Sequence, residues 1–467
     1  MSSNAAKELC EQLLHADSEP DVIAILKKAG YWDDSTCWRF YGDRPKNWGT
    51  VGGQQSRAEQ ALIEKVMNSI DTKLIAAARQ RGIPLSGPKA PQSVAEARDL
   101  LFGDDLKDLE KLSESITIAA TGKKTRPSIT IADDGEGQTP TSMPGTILSL
   151  LEGNKDKIPF VQGKFNMGGS GVLEFCGVDH NVELVISRRN PALLPAGSTA
   201  EDRQWSFTII RREDPSPDSP RASRFTYLAP GRVVDDKGHR ALLTFDAPTF
   251  PLFPKLNQPY VREAKWGTLF KLYEYAVRAT TNMMLEGGLM PRMRVLMPEP
   301  ALPIRFHECR DYAGGKGSFD TTMAGLIHTL EQSRKSESRR NSLLPPNVEW
   351  YDKFDMDIDG EKFSSRIYLF RKRAKDEKDN PAKSYRKDEG VVFTFNGQCQ
   401  AFFSTDFFRR KAVGQDYLAD SLLVFVDCSA IGVRANEKLF MPNRENLRQG
   451  DLKFRIEAEL RAHAKIT

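Results

Sequence analysis

The chain has 467 residues, 39% hydrophobic and 28% charged, with a net charge of +4. This composition excludes a disordered chain, and the length exceeds one ordinary core, so two or three domains are expected. No apolar run is long enough to span a bilayer, and the opening MSSNAAKELCEQLL lacks a basic region followed by an apolar core, so the expectation is a cytoplasmic protein with no membrane partner.

Residues 7–30 read as a helical region: Leu9, Leu13, Leu14, Val22, Ile23, Ile25 and Leu26 recur at roughly helical spacing, and Gly30 is a stop. The polar, aromatic and glycine-rich stretch Trp38–Gln55 reads as a loop or arm. Ser56 then opens a strong helix to about Arg81, with Ser56 as cap and Glu59 completing a capping box. Gly82 and Pro84 end it. The segment 85–127 is charged and partly helical. Two β runs follow, SITIAA near 115–120 and SITIA at 128–132.

Beyond the glycine-rich stretch 133–177, strands are expected at 182–187, 205–210, 224–229, 241–246 and from Gly267. Strands after a helix-rich start predict a mixed α/β sandwich. A helix near 272–286 and the Gly287-Gly288 pair mark a boundary. The remainder begins with two predicted strands, RVLM and PIRF. It continues through FDMDID, SSRIYLF, VVFTF and LLVFVD, and closes with a charged helix, Asp451–Ala464. The organisation is therefore an N-terminal helical segment and arm (1–55), a first α/β domain (56–288) and a second (289–467).

The helix at 56–81 carries the first candidate site. Glu64, Asn68 and Asp71 fall at i, i+4 and i+7, on one face. The other faces hold Leu62, Val66, Met67, Ile70, Leu74 and Ile75, leaving a narrow polar stripe. A buried polar stripe needs polar partners, a ligand or water. A carboxylate there can take a proton from water, and an amide oxygen can ligate Mg²⁺. The same triplet also suits the exposed side of an ordinary amphipathic helix.

Three glycine-bearing boxes follow. ITIADDGEGQTP (129–140) sets Asp133, Gly135 and Gly137 after a β run, where a carboxylate can accept the amine of adenine; Asp-Gly is equally a hairpin turn. GKFNMGGSGVLEFCG (163–177) offers backbone N–H groups to phosphate, or is a flexible loop; it lacks the Lys-Ser/Thr ending of a P-loop. Trp266-Gly267-Thr268 precedes a strand. Six cysteines and six histidines are scattered, with no CxxC or HExxH, which argues against zinc or a disulfide framework. The basic clusters Arg334–Arg340 and Arg371–Lys387 read as solvated loops or as phosphate-binding patches.

Taken in order, ALIEKVMNSIDTK, IADDGEG, GKFNMGGSG and Gly267-Thr268 resemble the four boxes of the GHKL ATPase superfamily, which holds gyrase B, MutL, MORC proteins, sensor histidine kinases and Hsp-ninety-type chaperones. The resemblance implies a Bergerat-fold ATPase α/β sandwich followed by a ribosomal-S-five-like transducer or middle domain. It implies ATP and Mg²⁺ as ligands. Glu64 would be the general base, Asn68 the Mg²⁺ ligand, Asp133 the acceptor of the adenine amine and Asp71 a support of the pocket. Gly135 and Gly137 would line the base, with Thr268 near it. Gly163, Lys164, Phe165, Gly168, Gly169 and Gly171 would close over the phosphates, beneath a lid between about Thr139 and Gly163. Asn166 departs from the family, where many relatives carry glycine.

VDCSAIGVRANEKLFMPNRENLRQ (426–449) resembles the middle domain of Hsp-ninety-type chaperones, placing Arg444 on the arginine that reaches the γ-phosphate; Arg448 replaces the usual Gln. The implied function is an ATP-driven clamp that closes its lid and homodimerises on nucleotide, in DNA maintenance or antiviral defence, with a protein or nucleic-acid partner. The aromatic arm near Tyr41–Gln55 would reach a partner or fold over the nucleotide. The alternatives are a non-hydrolysing nucleotide-gated scaffold and a DNA-handling protein.

Overall fold

The computed structural model describes every residue except 151–154, 163–167, 216–221, 237, 278–279, 313–318, 338–346, 376, 379, 442–445 and 467. The chain is α/β in class and divides into two compact units, Met1–Leu289 with Leu302–Met323, and Met290–Ala301 with Ala324–Thr467. Residues 302–323 thus join the first unit, not the second as the sequence boundary at 288 has it.

In the first unit, the N-terminal helical region is two helices, α1 (Ser3–His15) and α2 (Glu19–Lys28). Ser2 and Ser18 cap them by accepting from the N–H groups of Ala5 and Asp21. The segment 38–55 is more ordered than a loop. It forms β1 (Trp38–Phe40) and a short helix, α3 (Trp48–Val51). Asn47 is buried between them; its Nδ2 donates to the carbonyls of Tyr41 and Phe225, and its Oδ1 accepts from Phe225 N–H. One side chain therefore fixes the arm to its own unit.

Helix α4 (Ala58–Gln80) starts two residues later than Ser56 predicts. Its N-cap is Arg57 and no side chain caps it, so the expected Ser56 capping box does not form at the helix start. The C-terminal stop is as expected: Gly82 is left-handed (φ +67°), Ile83 N–H reaches Ala78 O, and Gly82 N–H reaches Arg79 O. Two further helices, α5 (Val94–Phe102) and α6 (Leu109–Ser113), precede the sheet.

The β runs become β2 (Ile116–Gly122), β3 (Pro127–Asp133), β4 (Glu183–Arg188), β5 (Trp205–Glu213), β6 (Arg224–Leu228) and β7 (Leu243–Phe245). Then come a hairpin, β8 (Phe250–Lys255) with β9 (Gln258–Ala264), and β10 (Gly267–Leu272). Among the described residues, one ten-stranded sheet runs β1-β6-β5-β4-β10-β3-β2-β11-β12, with β7 on β5. Here β11 is Ile304–Glu308 and β12 is Asp320–Met323. Only β11 runs parallel to its neighbour β2; every other pair is antiparallel. The β11–β2 pairing is what carries 302–323 into the first unit.

The helix expected at 272–286 is not formed among the described residues. Tyr275 N–H continues the strand pairing to Pro127 O, its hydroxyl donates to Ala58 O, and Glu274 is left-handed (φ +42°). These tethers hold the segment out of helical geometry.

Strand β10 has two faces. Leu269 and Tyr273, just past its end, join the core formed with Leu9, Leu13, Leu14 and Val22. Lys271 points the same way and is fully buried. Its ammonium meets Leu14 O at 2.8 Å and Asp17 Oδ1 at 2.9 Å, and Tyr273 OH donates to Leu13 O. On the opposite face lie Thr268 and Phe270, toward α4.

Helix α7 (Leu289–Leu296), which belongs to the second unit from Met290 on, takes the place of the expected strand RVLM. Leu289, Met293 and Leu296 are buried at helical spacing, which outweighs one β-branched residue, Val295. After α8 (Leu326–Glu337) come β13 (Val348–Ile358), β14 (Glu361–Phe370), β15 (Glu389–Phe395), β16 (Gln398–Ser404), α9 (Asp406–Arg409) and β17 (Leu422–Asp427). The sheet order is β13-β14-β17-β15-β16, with β15 and β17 parallel. Helices α10 (Val433–Leu439) and α11 (Asp451–Ile466) cover it, placing Leu439, Ile456 and Leu460 against Phe393, Val424 and Val426.

The Lys271 contact gives a test. Asp17→Ala leaves a buried ammonium without its carboxylate and should destabilise the first unit by roughly 3 kcal/mol. Lys271→Met, which removes the charge, should cost less. Urea unfolding of both variants checks the order.

Candidate functional site

Helix α4 turns two polar rows inward. Lys65, Ser69 and Thr72 form one, at i, i+4 and i+7. They line a cavity of about 290 Å³ against the sheet, shared with Asn68, Tyr41, Asp133, Glu136, Gly137, Thr146, Lys155, Gly169, Thr268 and Phe270. That volume is close to the lower end of ligand pockets, about 300 Å³.

Asp133 ends β3 and is 1% exposed. Its Oδ2 accepts from Ser69 Oγ at 2.8 Å; its Oδ1 accepts from Gly135 N–H at 3.0 Å and lies 3.4 Å from Thr72 Oγ1. Burial pushes its pKa up to about 7, against the lowering effect of the Ser69 and Gly135 bonds. Thr268 stands opposite it on β10, bonded through its hydroxyl to Ser187 Oγ at 2.9 Å. Ser187 Oγ also accepts from Gln138 N–H.

The two predicted glycines of this box are places of close approach. A Cβ on Gly135 would stand 1.9 Å from Thr72 Oγ1; one on Gly137 would stand 1.8 Å from Arg188 O, at a φ of +63°. The turn is therefore pressed between α4 and the end of β4. Outside it, Glu136 accepts from Arg79 at 2.8 Å and Arg189 at 3.0 Å, and Asp134 pairs with Lys73 at 2.5 Å.

The predicted row Glu64, Asn68 and Asp71 is inward, and Glu64 and Asp71 are buried. Of the three, Asn68 lines the cavity; Glu64 and Asp71 lie beside it. Asp71 Oδ1 accepts from Gln162 N–H at 3.0 Å, and its Oδ2 meets Lys155 Nζ at 3.2 Å. Lys155 Nζ also lies 3.3 Å from Asn68 Oδ1. These two hard oxygens already hold a cation, so the pair suits a small divalent ion completed by phosphate and water oxygens. Among the described residues, no three His, Cys, Asp or Glu form a metal cluster of their own.

Gly168 opens a 3-10 stretch that runs to Phe175. A Cβ on Gly169 would meet Asn68 Nδ2 at 3.0 Å, and one on Gly171 would meet Gln54 at 3.4 Å. This box thus packs on α4 beside Asn68. Gly163, Lys164, Phe165 and Asn166 lie outside the described residues, as does Arg444.

Sequence reasoning missed Lys65, Ser69 and Thr72, although they repeat the spacing of the row next to them. It also missed Lys155 and the partner of Lys65. Lys65 is buried, pairs with Glu183 at 2.8 Å, and lies 4.0 Å above the Phe270 ring. Burial raises the Glu183 pKa, and Lys65 opposes that shift. Tyr41 comes from the arm; its hydroxyl donates to Ile147 O, while Gly42 N–H donates to Leu148 O. Protein-family profiles and curated proteins give no match to the chain. No helix among the described residues is long and apolar enough to cross a membrane.

The raised Asp133 pKa has a sign that can be measured. Its stabilising contribution, relative to an ordinary carboxyl, is complete below about pH 4 and is lost as pH rises through about 7, up to ~4 kcal/mol. Asp133→Asn should abolish that loss. The difference between the wild-type and variant Tm across pH 4–8, without ligand, checks it.

Proposed function

We propose that the first unit binds ATP with Mg²⁺ and hydrolyses it, as the GHKL resemblance implies. The observation that carries this reading is Asp133. A buried carboxylate at a strand end, oriented by Ser69 and Gly135, lines a cavity between a helix and a sheet. Such a group calls for a ligand that brings a hydrogen-bond donor, and the amine of adenine supplies one. The placement of Gly137, Thr268, Asn68 and Gly169 around the same cavity supports a Bergerat-type site.

In this reading Asp133 fixes the base, with the Thr268 and Ser187 hydroxyls beside it. Asn68 Oδ1 would hold Mg²⁺, with Asp71 next to it. The metal would neutralise charge on the phosphate oxygens. Glu64 would take the proton of the water that attacks the γ-phosphorus as the bond to the β-phosphate breaks and ADP leaves. Lid movement and pairing of two copies on nucleotide would follow from the same resemblance.

A second reading is a non-hydrolysing, nucleotide-gated scaffold. It is favoured by one observation: Glu64 is buried beside the cavity and is not part of its lining. Two variants separate the readings. Asp133→Asn should lower ATP affinity at least tenfold, as seen by calorimetry, because it replaces one oxygen acceptor with an amide donor. Glu64→Ala should retain ATP binding and lose phosphate release by a hundredfold or more, the usual scale of a positioned base. Equal phosphate release from wild type and Glu64→Ala would select the scaffold.

The protonation of Asp133 adds a pH signature. An amine donor favours the ionised carboxylate, so ATP binding should tighten as pH rises through about 7 and release a proton below it. Calorimetry in two buffers of different ionisation enthalpy reads that proton directly.

A further inference from the structure

The lid stretch Lys155–Gln162 is fastened to α4 at both ends through one residue. Gln162 N–H donates to Asp71 Oδ1 at 3.0 Å, and Lys155 Nζ lies 3.2 Å from Asp71 Oδ2. The same ammonium lies 3.3 Å from Asn68 Oδ1. Lys155 itself lines the cavity, and its side chain is 17% exposed. Asp71, at 1% exposure, is too deep to be satisfied by water. Asp71 therefore holds a lid contact as well as lying beside the cavity.

We propose that Lys155 is a resident cation at the metal position, holding Asn68 and Asp71 until a metal–nucleotide complex takes its place. This rests on the ATP reading of the cavity. The argument is one of shared ligands. The Asn68 amide oxygen that would bind Mg²⁺ faces an ammonium, and a monovalent and a divalent cation cannot occupy the same contact. Asp71 is buried, and the ammonium on its Oδ2 offsets part of the cost of holding that carboxylate away from water. Lys155 must withdraw from Asn68 before a metal is seated. Its withdrawal also removes the Lys155 tie between 155–162 and α4. Metal arrival and lid release are then a single event, and nucleotide without metal brings no cation to replace the ammonium at Asn68 and Asp71.

Calorimetry with a non-hydrolysable ATP analogue tests this, using wild type, Lys155→Met and Lys155→Arg, each with and without Mg²⁺. Lys155→Met removes the competitor and keeps the length of the side chain. It should bind the Mg²⁺ form about fivefold tighter than wild type and the metal-free form no tighter. Lys155→Arg, which keeps the charge, should show no such gain. Weaker binding of both forms by Lys155→Met would make Lys155 a phosphate contact and overturn the proposal. Unchanged binding of both would overturn it as well. Mn²⁺ alone, followed by water-proton relaxation, provides a readout that needs no nucleotide. Lys155→Met should take up Mn²⁺ more tightly than wild type, and equal uptake counts against the proposal. If neither protein binds the analogue, the ATP reading fails, and the Mn²⁺ comparison still decides whether Lys155 guards Asn68 and Asp71.

Discussion

The bond from Ser69 Oγ to the Asp133 carboxylate organises the first unit. It ties the middle of a long buried helix to the end of a central strand, across the space that becomes the cavity. Both side chains are buried, so the bond satisfies polar atoms that have little contact with water, and Gly135 N–H supplies Asp133 with a second donor. The close approach it enforces is visible at Gly135, where no Cβ fits beside Thr72. The turn after β3 is consequently defined by the helix in front of it as much as by the strand behind it. Burial at that position raises the carboxyl's pKa, and the two donors it keeps, Ser69 Oγ and Gly135 N–H, offset only part of the rise.

Around this contact the charges are arranged in closed pairs. Lys65 meets Glu183, Lys73 meets Asp134, Arg79 and Arg189 share Glu136, and Lys155 meets Asp71. Buried pairs of this kind give little net stability, since desolvation offsets their attraction. Their effect is to define orientation. Among the described residues, these long cationic side chains near the cavity are each held by a named carboxylate, which shapes the cavity wall. The second unit shows the same habit at Arg292 and Glu389, an ion pair buried on the carboxylate side.

Much of this architecture was legible in the sequence, where long periodic patterns carried the information. The strands on either side of Asp133, the helix around Asn68 and its Gly82 stop follow from periodicity and turn chemistry. What escaped had non-local causes. Ser56 has the right residue type for a cap, yet the helix begins after Arg57. The arm looked like a loop because its order comes from Asn47 reaching Phe225, 178 residues away. Residues 302–323 looked like the start of a second domain because parallel pairing with β2 leaves no local signature. RVLM has strand-like composition, but the buried spacing of Leu289, Met293 and Leu296 makes it helical. The polar row of Lys65, Ser69 and Thr72 was overlooked because a lysine on a helix normally reads as solvent-facing, and only its pairing with Glu183 explains its burial.

The buried Lys271 also bears on synthesis. Its acceptors Asp17 and Leu14 lie 254 and 257 residues earlier in the chain, and Tyr273 closes on Leu13 across 260. Helices α1 and α2 therefore leave the ribosome long before β10, one of the strands that cover their apolar face, exists. Strands β4, β5 and β7 reach that face first, but until β10 has emerged it is not closed, and the nascent N-terminus is a surface for a holding chaperone to shield. The first unit can lock only after most of it has been made, and the last strand to arrive on that side brings the wall of the cavity with it.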